Sequence, residues 1–340
     1  MHFFFQVLVA EACMLRLTAV LFTLLLSGCA AVQDFGTSLR HNIQGEYYLQ
    51  EKDYARGLQT FGEVVKVDPY NAEANYYYGR FLLAEEKAAE ALPYLEKAAG
   101  INPKKDDYHF WLGVAYGEKG QEGFERKSYK QALQIDPSNT KALTYLGNNL
   151  LRAKQYTKAL GYYEQAIERN HNNPQALYNR SVILKKLART PEEKLALHQY
   201  LDAYPSGSFA RRAADRLNAL GDHSYRNYKL GARTITLAEI SFVPFKAELA
   251  RQSLPSLDVL GATVSNMPKG KLNVITYQLN NRDLAKRRAF SIRNYLNKKF
   301  PQLKKTNRIQ LSWFDVPERR KILTKQMHLD ESVVFFLTEI

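Results

Sequence analysis

The chain has 340 residues, 45% of them hydrophobic and 24% charged, a balance that excludes a wholly disordered protein and leaves room for two domains. Its two cysteines, Cys13 and Cys29, both lie near the start, which excludes a disulfide framework and a cysteine-rich metal site in the rest. The net charge of +14 is uneven: residues 221–340 hold 21 of the 48 Lys/Arg but 10 of the 34 Asp/Glu, the mark of an anionic neighbour or of a solvated basic surface. The first element is apolar. Leu17–Leu26 (LTAVLFTLLL) is too short to span a bilayer as a helix but suits the core of an export signal, with Arg16 ahead of it. Residues 1–13 carry Glu11 and no Lys or Arg, a poor opening for such a signal, which makes Met14 the alternative start.

The run ends in Leu26-Ser27-Gly28-Cys29, which resembles the bacterial lipobox. The resemblance implies cleavage before Cys29 and acylation of its sulfur, so that 1–28 is a lipoprotein signal peptide and 29–37 a lipidated linker. Two or three acyl chains anchor stably where one is marginal. Ala30, rather than Asp, follows the cysteine; in such envelopes that implies the periplasmic face of the outer membrane.

A ladder of period 34 comes next. Prolines stand at Pro69, Pro103, Pro137 and Pro205, and glycines at Gly45, Gly79, Gly113 and Gly147, with Ser181 on the following rung. Phe61, Leu95, Tyr129, Tyr163 and Leu197 keep the same step, as do Ala98, Ala132 and Ala166. This resembles the tetratricopeptide repeat (TPR), in which each unit is a pair of antiparallel helices that buries its apolar face only by stacking on its neighbours. Five repeats are expected, 38–71, 72–105, 106–139, 140–173 and 174–207, then a capping helix over Tyr204–Leu220, closing an α-solenoid of residues 38–220. Glu125 and Glu193 occupy positions usually small, so local irregularity is expected in the third and fifth repeats. By the resemblance, the first helices line a partner-binding groove that includes Tyr76, Arg80, Phe110, Asn148, Arg152, Tyr178 and Lys185.

After Leu220 the repeat stops, and 221–232 reads as a polar linker. Strands are expected at Ile235–Ile240 with Val243–Phe245, at Lys271–Tyr277, Arg308–Trp313 and Val333–Leu337; helices are expected at Leu254–Val264 and Leu284–Lys299. This β-α-β-α-β-β order over 233–340 resembles the small α+β peptidoglycan-binding domain of the OmpA family. The resemblance implies a cell-wall contact through the basic pair Arg287 and Arg288, since an Arg of that helix grips a carboxylate in the family. The family's acidic partner position falls at Leu279, and Asp330-Glu331-Ser332 stands where Asn-Arg-Arg is common.

No phosphate loop, HExxH or GxSxG occurs, and no two histidines stand four apart. The expectation is therefore a non-enzyme with neither cofactor nor metal, and without nucleic-acid partners. Its partners are expected to be periplasmic or outer-membrane proteins, a secretin or pilus component by family analogy, with peptidoglycan as the alternative.

Overall fold

The computed structural model describes residues 37–322 and 325–338. The expected signal peptide, Cys29 and the linker through residue 36 lie outside the described residues. The chain divides into two compact units, residues 1–149 and 150–340.

The described part of the first unit is helical: α1 (37–50), α2 (Tyr54–Val67), α3 (Ala72–Ala84), α4 (Ala88–Ile101), α5 (Asp106–Glu118), α6 (Glu122–Ile135) and most of α7 (Thr140–Arg152). From α2 to α6, each helix packs on the next in the chain. At the starts of α3 and α7, side chains satisfy free amides. Asn71 accepts the Ala74 N–H at 2.9 Å, and Asn139 accepts that of Ala142 at 2.9 Å. The stops follow the same period. Asp68, Asn102 and Asp136 each accept the backbone N–H two residues on, an Asx turn around a ladder proline, which itself cannot extend a helix. The glycine rungs are tight approaches. A Cβ on Gly79 would lie 2.6 Å from Leu95 Cγ, and one on Gly113 would lie 2.4 Å from Tyr129 Cε1.

Glu125 does not disturb α6. Its buried carboxylate accepts Asn149 Nδ2 at 2.8 Å, while Arg126 Nε donates to Asn149 Oδ1 at 2.7 Å. A buried carboxylate is tolerable when its acceptor sites are filled, and here they replace the small residue the position normally holds.

The second unit continues with α8 (Tyr156–Arg169), α9 (Pro174–Lys186), α10 (Thr190–Ala203) and α11 (Gly207–Ala219). Asn173 caps α9 and Asn170 makes the Asx turn, so the signals persist where the proline rung is His171. Glu193 is regular too: it is buried on α10 and bound at both oxygens by Arg216 of α11, at 2.6 and 2.9 Å. Helix α11 is the expected cap, and it is itself covered.

Residues 221–232, expected as a linker, instead carry strand β1 (Tyr225–Leu230), which forms an antiparallel hairpin with β2 (Arg233–Ala238) across Gly231, at φ +60°. Tyr225 joins the Leu201, Ala213 and Leu217 cluster of α10 and α11. Asn218 Nδ2 donates to the Tyr225 carbonyl at 2.9 Å, and Asn227 Nδ2 donates to the Arg211 carbonyl at 2.9 Å. The polar sequence misleads because its amides and tyrosines are spent on α11.

Beyond the hairpin come α12 (Leu254–Ser265), β3 (Lys271–Gln278), α13 (Arg282–Lys299), the one-turn α14 (Pro301–Lys305), β4 (Ile309–Phe314), β5 (Glu318–Ile322), β6 (Lys325–Leu329) and β7 (Glu331–Thr338). The order β4-β3-β7 makes a mixed three-stranded sheet, with β4 parallel and β7 antiparallel to β3; β5 and β6 form a separate hairpin. Helix α13 lies over β3 and β4. Leu257 and Leu260 of α12, Ile292 and Leu296 of α13, and Leu272, Val274, Val333 and Phe335 of the sheet close one core. The segment Val243–Phe245, expected as a strand, is a turn: Lys246 N–H bonds the Val243 carbonyl at 2.9 Å and Phe245 has φ +59°. Strands β5 and β6 are additions to the expected order.

Candidate functional site

In the first unit, the first helices of successive repeats bring side chains together around Arg80. It projects from α3 with its side chain 10% exposed, beside Glu46 of α1, which is 49% exposed. One guanidinium nitrogen binds the Glu46 carboxylate and donates to the Tyr76 hydroxyl at 3.0 Å. The guanidinium lies 4.5 Å from the ring centroid of Trp111 on α5, a cation–π stack that fixes its plane. Tyr77 donates to Glu46 Oε1 at 3.2 Å. Burial pushes the Tyr76 and Tyr77 hydroxyls well above the usual phenol range, so both remain neutral, Tyr76 accepting from Arg80 and Tyr77 donating to Glu46. What stays open is a half-buried indole beside a half-exposed carboxylate, the combination of apolar body and charged tip that anchors partner side chains.

The residues named from the sequence fall in different places. Tyr76 and Arg80 meet, as described, but Tyr76 is itself buried, 4% exposed, and presents no groove surface. Phe110 does not face a groove: it is 2% exposed, among the rings of Trp111, Tyr129 and Tyr145 at 5.2 to 5.8 Å. Its removal from the surface follows from Gly113, which lets Tyr129 press against α5. Asn148 is half-buried on α7, and Arg152 is exposed at that helix's end. In the second unit, Tyr178 is half-buried with ring contacts to Tyr200 at 5.4 Å and Phe209 at 4.6 Å, and Lys185 is exposed. Sequence reasoning missed Glu46 and Trp111. Glu46 was within reach of it, since it stands one period before Arg80.

Arg288 is buried, with its side chain 2% exposed. It donates to the Lys246 carbonyl at 3.1 Å and to Gln278, pairs with Glu331 at 2.9 Å and stacks on Phe242 at 4.6 Å. Its donors are thus spent inside the fold. Arg287 is exposed and pairs with Asp283 one turn earlier. Among the described residues, no group of three His, Cys, Asp or Glu side chains lies placed to hold a metal ion, and no helix is long and apolar enough to cross a membrane.

Residues 48–109, 106–139 and 140–173 match models of the tetratricopeptide repeat. These helix pairs are tetratricopeptide repeats. Two of the TPR matches, 106–139 and 140–173, fall on the register set by the proline and glycine rungs. The solved structure of Pseudomonas aeruginosa pilF shares the fold at 16% identity, with a TM-score of 0.52 over 56% of this chain and 86% of that one. Among curated proteins, anaphase-promoting complex subunit 3 of Schizosaccharomyces pombe is 22% identical over 142 residues, 42% of this chain. The uncharacterized protein ycf37 of Pyropia yezoensis is 36% identical over 74 residues, 22% of this chain and 42% of that protein. The chain spans 21% of the length of the first of these relatives. The TPR part is a protein-interaction scaffold, followed by a small sheet-containing region.

Proposed function

We propose that this protein is a lipid-anchored, non-enzymatic scaffold on the periplasmic face of the outer membrane, which recruits a partner protein during assembly of a pilus or secretion system. The observation that carries the recruiting role is the Glu46–Arg80–Trp111 cluster, built from α1, α3 and α5 of a repeat scaffold. It suits a segment offering an apolar side chain to the indole and a cation to the carboxylate. The anchor rests on Leu26-Ser27-Gly28-Cys29 and the apolar run before it. The assembly role rests on the pairing of such an anchor with TPR repeats.

The test is affinity capture by the mature lipidated protein from its native envelope, with Trp111→Ala and Glu46→Gln in parallel. The scaffold predicts an assembly component retained by the wild type and lost by about tenfold or more in Trp111→Ala, as expected of an interfacial aromatic anchor. Equal recovery by all three proteins would move the interface elsewhere. For the anchor, Cys29→Ser is expected to release the protein into the soluble periplasmic fraction; retention in membranes would defeat the lipid reading. The alternative, a tether to peptidoglycan, has less behind it, because Arg288 is committed to Lys246, Gln278 and Glu331. Sedimentation of the protein with purified sacculi, abolished by Arg287→Ala, would revive it.

A further inference from the structure

The three-stranded sheet has unequal edges. At β7, the Tyr228 hydroxyl of β1 donates to the Val333 carbonyl at 3.0 Å, and β1 packs along that strand. At β4, no described strand pairs with the outer edge. The register says which groups are left over. Leu272 N–H bonds the Arg308 carbonyl at 2.8 Å and Leu272 aligns with Ile309, so Gln310, Ser312 and Phe314 turn their amides toward β3. The amides and carbonyls of Ile309, Leu311 and Trp313 point away from the sheet.

Folded proteins usually protect such an edge with a lysine, a proline, a bulge or a very short strand. Strand β4 reads IQLSWF over six residues and has none of these devices. The helix above it is equally unguarded. Lys286 Nζ lies 5.6 Å from the Trp313 ring centroid, Phe290 lies 6.1 Å from Trp313, and the Arg293 guanidinium lies 4.4 Å from Phe290. Neither Lys286 nor Arg293 has a carboxylate partner among the described residues. From Leu284 to Phe314 the chain holds nine Lys/Arg and no Asp or Glu. Several of the nine are engaged elsewhere: Arg287 with Asp283, Arg288 with Glu331, Lys299 with Asp258, and Arg308 with the carbonyls of Met267, Lys269 and Gly270. Of the other five, Lys286 and Arg293 are the two seated on aromatic rings beside the open strand.

We propose that β4 and α13 together receive an extended acidic segment of a partner protein, which adds as a strand to the outer edge of β4. Backbone bonds to Leu311 and Trp313 supply the pairing, and side chains alternating toward α13 supply the selection. Spacing fixes the pattern. Lys286 and Arg293 are seven residues apart on a helix, about 10 Å; two residues four apart on a strand are about 13 Å apart. The fitting segment therefore reads acidic-x-apolar-x-acidic, with the apolar side chain meeting Phe290 and Trp313 between the two cations. A second copy of the chain is disfavoured as occupant, since its own β4 and α13 region is basic.

The probe is a fluorescein-labelled nine-residue peptide with Glu, Val and Glu at alternate central positions and Thr between them, beside its Lys-for-Glu counterpart. Anisotropy is measured with the mature chain and with K286E/R293E, both substitutions lying on the outer face of α13. The proposal expects binding of the glutamate peptide only, weakened about tenfold in the double variant and by added salt, as two partly exposed ion pairs would be. Hydrogen exchange should show slowed amides at Leu311 and Trp313 on binding. No binding, equal binding to the double variant, or protection confined to α1–α10 would each overturn it. So would protection of Leu311 and Trp313 that rises with protein concentration without peptide, which would make the occupant a second copy. Failure of this test leaves the Trp111 and Glu46 experiment untouched.

Discussion

Asp222 sits just after α11, where Ser224 Oγ donates to one carboxylate oxygen at 2.6 Å and His198 Nε2 lies 2.8 Å from the other. Burial opposes the charge, but these bonds and the Ser224 N–H hold the carboxyl down at about 2, against an ordinary value of 3.8. A depressed folded value means that the stabilisation is complete above the unfolded value and is lost as pH falls from about 4 toward about 2. Thermal melts from pH 7 to pH 2 should therefore show a loss in that window that is shallower in Asp222→Asn. An identical acid limb in the variant would mean that other carboxylates dominate. Nothing in the sequence around Asp222 announced this cluster, because His198 comes from a helix 24 residues earlier. Phe110 shows the opposite error: its position in the repeat predicted a groove residue, but a repeat position specifies a helix face only until a neighbour such as Tyr129 presses in and buries it.

Between the two helices of each repeat, the chain passes through one residue of left-handed backbone. Lys52, Glu86, Gly120, Lys154 and Ala188 have φ between +56° and +69°, one per repeat, 34 residues apart. Only Gly120 adopts this region without strain, since a Cβ costs about 1 kcal/mol there. Lys154→Gly and Ala188→Gly are therefore expected to raise stability by up to about 1 kcal/mol each, offset in part by the extra freedom of glycine in the unfolded chain. Gly120→Ala should lower it by a similar amount. Denaturant midpoints would decide, and a loss in both glycine variants would rule out strain at these turns. The helices themselves were legible because the Pro and Gly rungs and the large apolar rung of Phe61, Leu95, Tyr129, Tyr163 and Leu197 each impose a geometric demand at a fixed step. The turns were not, because Lys, Glu and Ala carry no signal for left-handed backbone; only their spacing does, once the structure has pointed to it.

At the scale of the whole chain, the place where repeats end is not where a folded part ends. Leu217 and Ala213 of α11 pack with Tyr225 of β1, and Asn218 bonds the Tyr225 carbonyl while Arg320 donates to Asn218 at 3.0 Å. A fragment stopping at Leu220 should therefore melt several degrees below the full chain and bind a hydrophobic dye, since a large buried side chain is worth roughly 2 kcal/mol. Equal melting would show that the hairpin adds nothing to α11. The period change near residue 220 was visible in the sequence, and so were β3 and β4 from their alternation, β7 from its apolar run and α13 from its one apolar face. Strand β2 was visible as well, within the strand expected at Ile235–Ile240, but β1 was not, because its buried residues Tyr225, Tyr228 and Leu230 stand three and then two residues apart, which is no strand period.

The left-handed turns also bear on how such an array grows. A duplicated 34-residue unit copies its turn along with its helices, so every added repeat that keeps Lys, Glu or Ala at that step inherits the same penalty of about 1 kcal/mol. Four such copies come to roughly 4 kcal/mol, close to the whole margin by which a modest domain stays folded. Lineages that lengthen the array should accordingly accumulate glycine or asparagine at the turn, the residue type that Gly120 supplies in the third repeat here.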